Sequence, residues 1–255
     1  MQFLQMQVDM KRTLIFLFFS FCSIMTSWGR GKGEIFVVSV GISDYQNISD
    51  LTLPEKDARS IAELYKTHTE NVITITGKYA TKARILKSLK DQFNRAKEED
   101  MIIFAFSGHG YPGGICPFDM SAKENSGISY REIKDILKES RAKQKIVYAD
   151  ACFSGGLRSK NTGSAQDHQD SEVLLFLSSR GGEPSIETPF MVNGVFTSYL
   201  LRGLRGGADT DRNRKITARE LFLFVSQGVK ERSNDKQHPV MWGRFDDNDV
   251  LMDWN

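Results

Sequence analysis

The sequence predicts an α/β fold, a mostly parallel central sheet flanked by helices on both faces. Two observations predict it. β-Rich apolar runs at 34–41, 71–76, 101–106, 145–149 and 172–177 read as strands buried on both sides of a sheet. Stretches with apolar residues at helical spacing separate them, and strand–helix alternation in one sheet means parallel strands joined by right-handed crossovers.

Taken in order, residues 34–41 (EIFVVSVG) are the first strand, and the helix over 55–67 places Ala58, Ile61, Ala62 and Leu64 on one face. The second strand, 71–76, is followed by a helix over 81–96 with Ile85, Leu86, Leu89 and Phe93 inward. The third, 101–106 (MIIFAF), is wholly apolar. Ser129 with Glu132 three residues later is a capping-box signal that opens a helix to about 139. The fourth strand is 145–149. Residues 157–171 are polar and aperiodic and read as a loop before the fifth strand at 172–177. Helices over 194–204 and 217–230 complete the chain, the latter capped by Thr217 with Glu220.

A chain of 255 residues, 40% hydrophobic and 26% charged, has the composition of one globular domain. The formal net charge of +2 and the lack of a basic stripe with interleaved aromatics exclude nucleic acid as the expected partner. Lys11 and Arg12 precede an uncharged apolar run from Leu14 to Met25, then Thr26, Ser27 and Gly29. A basic start, a short apolar centre and a small-residue exit describe a signal peptide over 1–29, with 30–255 as the mature domain and export to the periplasm or the medium. A retained membrane anchor and a buried first helix are the alternatives, although the run is shorter than the roughly 18 residues of a spanning helix. Beyond the leader only Cys116 and Cys152 remain, which is no disulfide framework and no metal-binding spacing.

Active sites of parallel sheets lie at the carboxyl ends of the strands. The third strand ends at Ser107-Gly108-His109-Gly110 and the fourth at Asp150-Ala151-Cys152. If these strands are neighbours, about 4.8 Å apart, His109 and Cys152 emerge together from one edge. A thiol needs a base to become a nucleophile at neutral pH, and imidazole has a suitable pKa. Backbone N–H groups near Gly110 and Cys152 are candidate donors to the oxyanion of an acyl-transfer intermediate. His68, His168 and His238 have no such position, and Cys116 reads as a structural thiol.

The SGHG turn after one strand and DACFSGG after the next resemble the His and Cys boxes of the caspase-like peptidases. The acid two residues before the cysteine is similar to that of metacaspases and their bacterial relatives, whereas caspases carry glutamine there. The likeness extends through VVSVGISDY, LPEKDARSIAELY, SSRGGEPSIE and GVFTSYLLRGLRGGADTDRNRKITARELFLFV. It implies the caspase–hemoglobinase fold and a cysteine endopeptidase acting on peptide or protein substrates, with Cys152 as nucleophile and His109 as base. It further implies that Asp57, Ser107 and Asp150 line an S1 pocket favouring Arg or Lys at P1, and that the protein is a monomer. For Asp57 an acid in the first turn of a helix, and for Asp150 simple strand-end polarity, remain the alternatives. Arg180 flanks the S1 pocket in caspase relatives and could neutralise one of these acids. Related peptidases cut themselves in the loop after the nucleophile, so Arg158 and Lys160 are candidate autocleavage points.

No cofactor is required by this reading, and calcium is the one candidate ion. The acidic cluster that many metacaspases carry after the His box is reduced here to Asp119 and Glu124 within 111–127. Asp209, Asp211, Asn213 and Glu220 occupy positions 1, 3, 5 and 12 of an EF-hand-like loop, with Arg214 where that loop wants glycine. The rival to the enzyme is a catalytically silent caspase-like binding or scaffold module. A calcium-binding regulatory domain is a third reading.

Overall fold

All five apolar runs are strands of one six-stranded sheet. The computed structural model describes residues 33–111, 113–121, 126–151, 173–179, 192–243 and 245–255. The expected leader, Cys152, Arg180 and the loop carrying Arg158 and Lys160 lie outside the described residues. In chain order the sheet comprises β1 (Ile35–Gly41), β2 (Val72–Thr76), β3 (Met101–Ser107), β7 (Gln144–Asp150), β8 (Val173–Leu177) and β10 (Val240–Trp242). The spatial order is β10-β8-β7-β3-β1-β2, parallel throughout except for the β8–β10 pair.

Alternate residues of the inner strands feed two separate cores, which is why a run such as MIIFAF is apolar throughout. From β3, Ile102, Phe104 and Phe106 meet Ile85, Leu89 and Phe93 of α2 (Lys82–Phe93) and Ile133, Ile136 and Leu137 of α3 (Tyr130–Glu139). On the other face, Met101, Ile103 and Ala105 share a core with Ile61, Leu64 and Tyr65 of α1 (Pro54–Lys66). The same core takes in Phe196, Leu200 and Leu201 of α4 (Val195–Arg202) and Leu221, Val225 and Val229 of α5 (Ala218–Arg232).

Both capping boxes form: Ser129 and Thr217 each accept from the backbone of a glutamate, Glu132 and Glu220, which reaches back to the cap. Beyond α4 the chain continues as a π-helical turn, Gly203–Gly207, whose Leu204 carbonyl accepts the Trp254 indole N–H at 2.9 Å. Among the described residues no helix is long and apolar enough to cross a membrane.

Three features depart from the sequence-based expectation. The edge strand β10 is antiparallel and follows Pro239. A small antiparallel sheet of β4 (Gly110–Tyr111), β5 (Gly114–Ile115) and β6 (Ile128–Ser129) stands after the third strand. A further pair joins β9 (Lys215–Thr217) to β11 (Val250–Asp253). Strands of two to four residues are too short to register a period.

Candidate active site

β3 and β7 are neighbours in register, with Ser107 opposite Asp150. The Gly108 N–H donates to the Asp150 carbonyl at 3.1 Å, so the turn carrying His109 is tied to the strand that leads to Cys152. Ala151, the residue before Cys152, is fastened to the end of β8. Its N–H donates to Ser178 Oγ and that hydroxyl donates to its carbonyl, both at 3.2 Å. The buried Gln237 side chain in turn donates to the Ser178 carbonyl at 2.9 Å. Cys152 itself lies outside the described residues.

His109 is held from three sides. Its N–H donates to Tyr45 Oη at 2.7 Å, its carbonyl accepts from Cys116 N at 2.9 Å, and its ring lies 5.0 Å from that of Tyr45. Its Nε2 lies 2.9 Å from the Ser49 carbonyl oxygen. A carbonyl only accepts, so Nε2 carries the hydrogen and a neutral ring leaves Nδ1 as the basic nitrogen. Gly108 is required by the same arrangement, because a Cβ there would stand 2.5 Å from Tyr45 Oη. Burial pushes the Tyr45 hydroxyl well above the usual phenol range, so it stays neutral at physiological pH. Replacing Tyr45 by Phe is expected to orphan the His109 N–H. The expected cost is about 1–3 kcal/mol in denaturant unfolding, with a fall in kcat as the imidazole loses its alignment.

Gly110, expected to supply an oxyanion donor, begins β4 and pairs with Ile115. Because Cys116 N bonds the His109 carbonyl, Gly110–Ile115 is a non-hydrogen-bonded pair, and the Gly110 N–H turns away from β5.

The three expected pocket residues come together on the α1–α4 face of the sheet. Asp57 is 2% exposed, Ser107 4% and Asp150 8%. Ser107 Oγ donates to Asp57 Oδ2 at 2.9 Å. Asp57 Oδ1 accepts from Asn193 Nδ2 at 2.9 Å and from Gly194 N at 3.0 Å. Asp150 Oδ2 accepts from Thr197 Oγ1 at 2.9 Å and Thr197 N at 3.4 Å. Asp57 is thus a buried acid that stands in the first turn of α1 and is bonded across the fold. Burial, and then the charge of Asp150, push the Asp57 carboxyl up to about 7, against the opposing pull of the Asn193, Ser107 and Gly194 hydrogen bonds.

Sequence reasoning missed Tyr45, Ser49, Ser178, Asn193, Thr197 and Gln237. Tyr45 and Thr197 lie within segments that carry the resemblance, but nothing in their own positions marks a role. Asn193 precedes the helix start by two residues, and its partner Asp57 is 136 positions away.

The remaining candidates stand elsewhere. Cys116 is buried and its thiol is pushed up to about 11 by burial, as an inert side chain would be. His68 packs edge-on against Trp254, and His238 bonds Asp235 at 3.0 Å. Asp119 accepts from Lys82 N at 2.8 Å, at the start of α2, and Glu124 lies outside the described residues. In the EF-hand-like loop, one carboxylate oxygen each of Asp209, Asp211 and Glu220 lies within 4.8 Å of the others. Those acids are engaged by the protein. Asp209 accepts from Asn213 N and Arg214 N, each at 3.0 Å, and Glu220 from Thr210 and Thr217. Arg214 takes the left-handed backbone, φ 63°, that glycine favours at that position.

Residues 36–248 match the family model of the caspase domain, Peptidase_C14. No curated protein matches the chain. A crystal structure of protein GSU0716 from Geobacter sulfurreducens is similar in fold, with a TM-score of 0.63 at 18% identity, covering 84% of this chain and 95% of that one. With its sheet, its helical layers and most of its length matched, the chain belongs to the caspase-domain family, peptidase family C14.

Proposed function

We propose that the protein is a cysteine endopeptidase that cleaves after Arg or Lys, with Cys152 as nucleophile and His109 as base. The observation that carries the reading is the in-register pairing of β3 and β7, which brings His109 to the strand end from which Cys152 follows. His109 Nδ1 takes the thiol proton, the thiolate attacks the scissile carbonyl, and the imidazolium then protonates the leaving amine. Water hydrolyses the thioester by the same base. The N–H groups of Gly110 and Cys152 stabilise the tetrahedral oxyanion.

The preference for a basic P1 residue rests on Asp57 and Asp150. Asp57 accepts only neutral donors among its described bonds, so a guanidinium or ammonium brings that acid a charge rather than a first partner. Cleavage needs no cofactor and the protein acts as a monomer. A fluorogenic peptide panel varying P1, run with and without calcium, tests the reading alongside labelling by a lysyl chloromethyl ketone. Hydrolysis after Arg and Lys with labelling at Cys152 is expected. Neither hydrolysis nor labelling would leave the silent binding module as the better account.

Two properties outside the described residues belong to the same reading. Export with removal of 1–29 is motivated by Lys11, Arg12 and the apolar run after them. Protein recovered from its host is expected to begin near Arg30 by mass spectrometry, and an intact start in the cytoplasm would refute export. Autocleavage after Arg158 or Lys160 is motivated by basic residues in a polar, aperiodic stretch. Cys152→Ala is expected to remain uncut there, whereas a fragmented Cys152→Ala preparation would mean a foreign protease.

A further inference from the structure

The start of α4 has no capping side chain of its own, because Gly194 stands at the N-cap. Two of its N-terminal N–H groups are instead satisfied from elsewhere in the fold. Asp57, from α1, accepts the Gly194 N–H, and Asp150, from β7, accepts both the N–H and the hydroxyl of Thr197, the third residue of the helix. Asn193 adds an amide bond to the same Asp57 oxygen and another to Ser60 Oγ at 3.2 Å. The positive end of the helix therefore faces two carboxylates that are close together and buried.

Gly194 also stands between them. A Cβ built there would lie 2.9 Å from Asp150 Oδ2 and 3.3 Å from Asp57 Oδ2. Its backbone, φ −53° and ψ 154°, is one that alanine adopts freely, so space beside the acids and not backbone strain is what asks for glycine.

We propose that Asn193–Thr197 is the selectivity element of this peptidase: Asn193 and Thr197 are positioning residues that hold the Asp57 and Asp150 carboxylates together, and Gly194 keeps clear the space the two acids share. The inference rests on the reading of these acids as the P1 pocket. It assigns the orientation of the pocket charge to a segment more than 40 residues beyond the nucleophile. Deleting the Thr197 hydroxyl removes the shorter of its two bonds to Asp150 Oδ2 and loosens that carboxylate, and a methyl group at 194 pushes one carboxylate aside. Either change weakens the hold on a cation more than the hold on a neutral side chain.

The test measures kcat/KM for matched peptides with Arg, Lys or Gln at P1 in the wild type, Thr197→Val, Thr197→Ser, Asn193→Ala and Gly194→Ala. The rate of Cys152 alkylation by iodoacetamide reports the dyad separately, and thermal melting reports the fold. Thr197→Val and Gly194→Ala are expected to lower the Arg:Gln ratio by at least about tenfold, the scale of losing one charge-assisted contact. Thr197→Ser, which keeps the hydroxyl, is expected to restore the ratio to within about threefold of wild type; a purely structural role for Thr197 would not give that rescue in the ratio. A wild type that prefers Arg, with variants that keep the same ratio, would overturn this inference and leave the pocket standing. A wild type indifferent to P1 charge would overturn both.

Discussion

Replacing Cys152 or His109 by alanine is expected to lower kcat by several orders of magnitude while the fold, read by circular dichroism and melting, stays intact. His109 sits at the end of the wholly buried strand β3, where its backbone is fixed by Tyr45 Oη and Cys116 N, and none of these contacts uses its basic nitrogen. Removal of the imidazole therefore deletes the base together with the ring contact to Tyr45 and the bond to Ser49, and leaves the backbone bonds that hold the turn. Nucleophile and base act as a unit, so the double variant is expected to be little worse than either single one. Near-normal hydrolysis by Cys152→Ala would end the thiol mechanism. His109→Ala with unchanged kcat would move the base elsewhere.

The second large effect is on P1. Asp150→Asn is expected to reduce kcat/KM for Arg substrates by at least about tenfold, because a buried charge-assisted contact is commonly worth about 2–5 kcal/mol. Asp57 adds a pH dependence. Its carboxyl is pushed up to about 7 by burial and by Asp150, so at lower pH it carries a proton and holds a cation poorly. Turnover of Arg substrates is expected to rise as pH passes through about 7, more steeply than turnover of Gln substrates. Stability moves the other way. The folded form binds this proton more tightly than the unfolded chain, so the contribution is complete below about pH 4 and is lost as pH rises through about 7. Asp57→Asn is expected to melt less pH-dependently between those limits and to lose basic-P1 selectivity. A wild type that prefers Asp at P1 would assign the pocket to a dominant cation, with Arg180 as the candidate.

Much of this architecture was legible from local pattern. Runs such as MIIFAF and the Ser129–Glu132 and Thr217–Glu220 pairs announce strands and helix starts because burial on both faces and cap chemistry act over a few residues. The placement of His109 at a strand end follows from the same runs and the rule for parallel sheets. What fixes the imidazole was not legible, since Tyr45 and Ser49 lie 64 and 60 positions before it and neither type advertises a partner. Asp57 reads equally well as a first-turn acid until α4 is folded against it. Asn193, Gly194 and Thr197 have polar or small side chains that suit any helix start. Only the tertiary arrangement shows that they face two buried acids.

The bonds around Asp57 and Asp150 also bear on when the site can form. Asp57 closes onto Asn193 across 136 residues, and Asp150 onto Thr197 across 47. Contacts of such separation form late, after the loop-closure entropy between them has been overcome. On a ribosome the strands through β7 and the α1 helix are complete long before residue 197 appears. Until α4 has been made and docked, Asp57 lacks the Asn193 and Gly194 donors and Asp150 lacks those of Thr197. A nascent or truncated chain that already contains both the His and the Cys boxes therefore lacks an assembled acid pair. Competence of this face of the sheet is tied to synthesis of the C-terminal third of the protein.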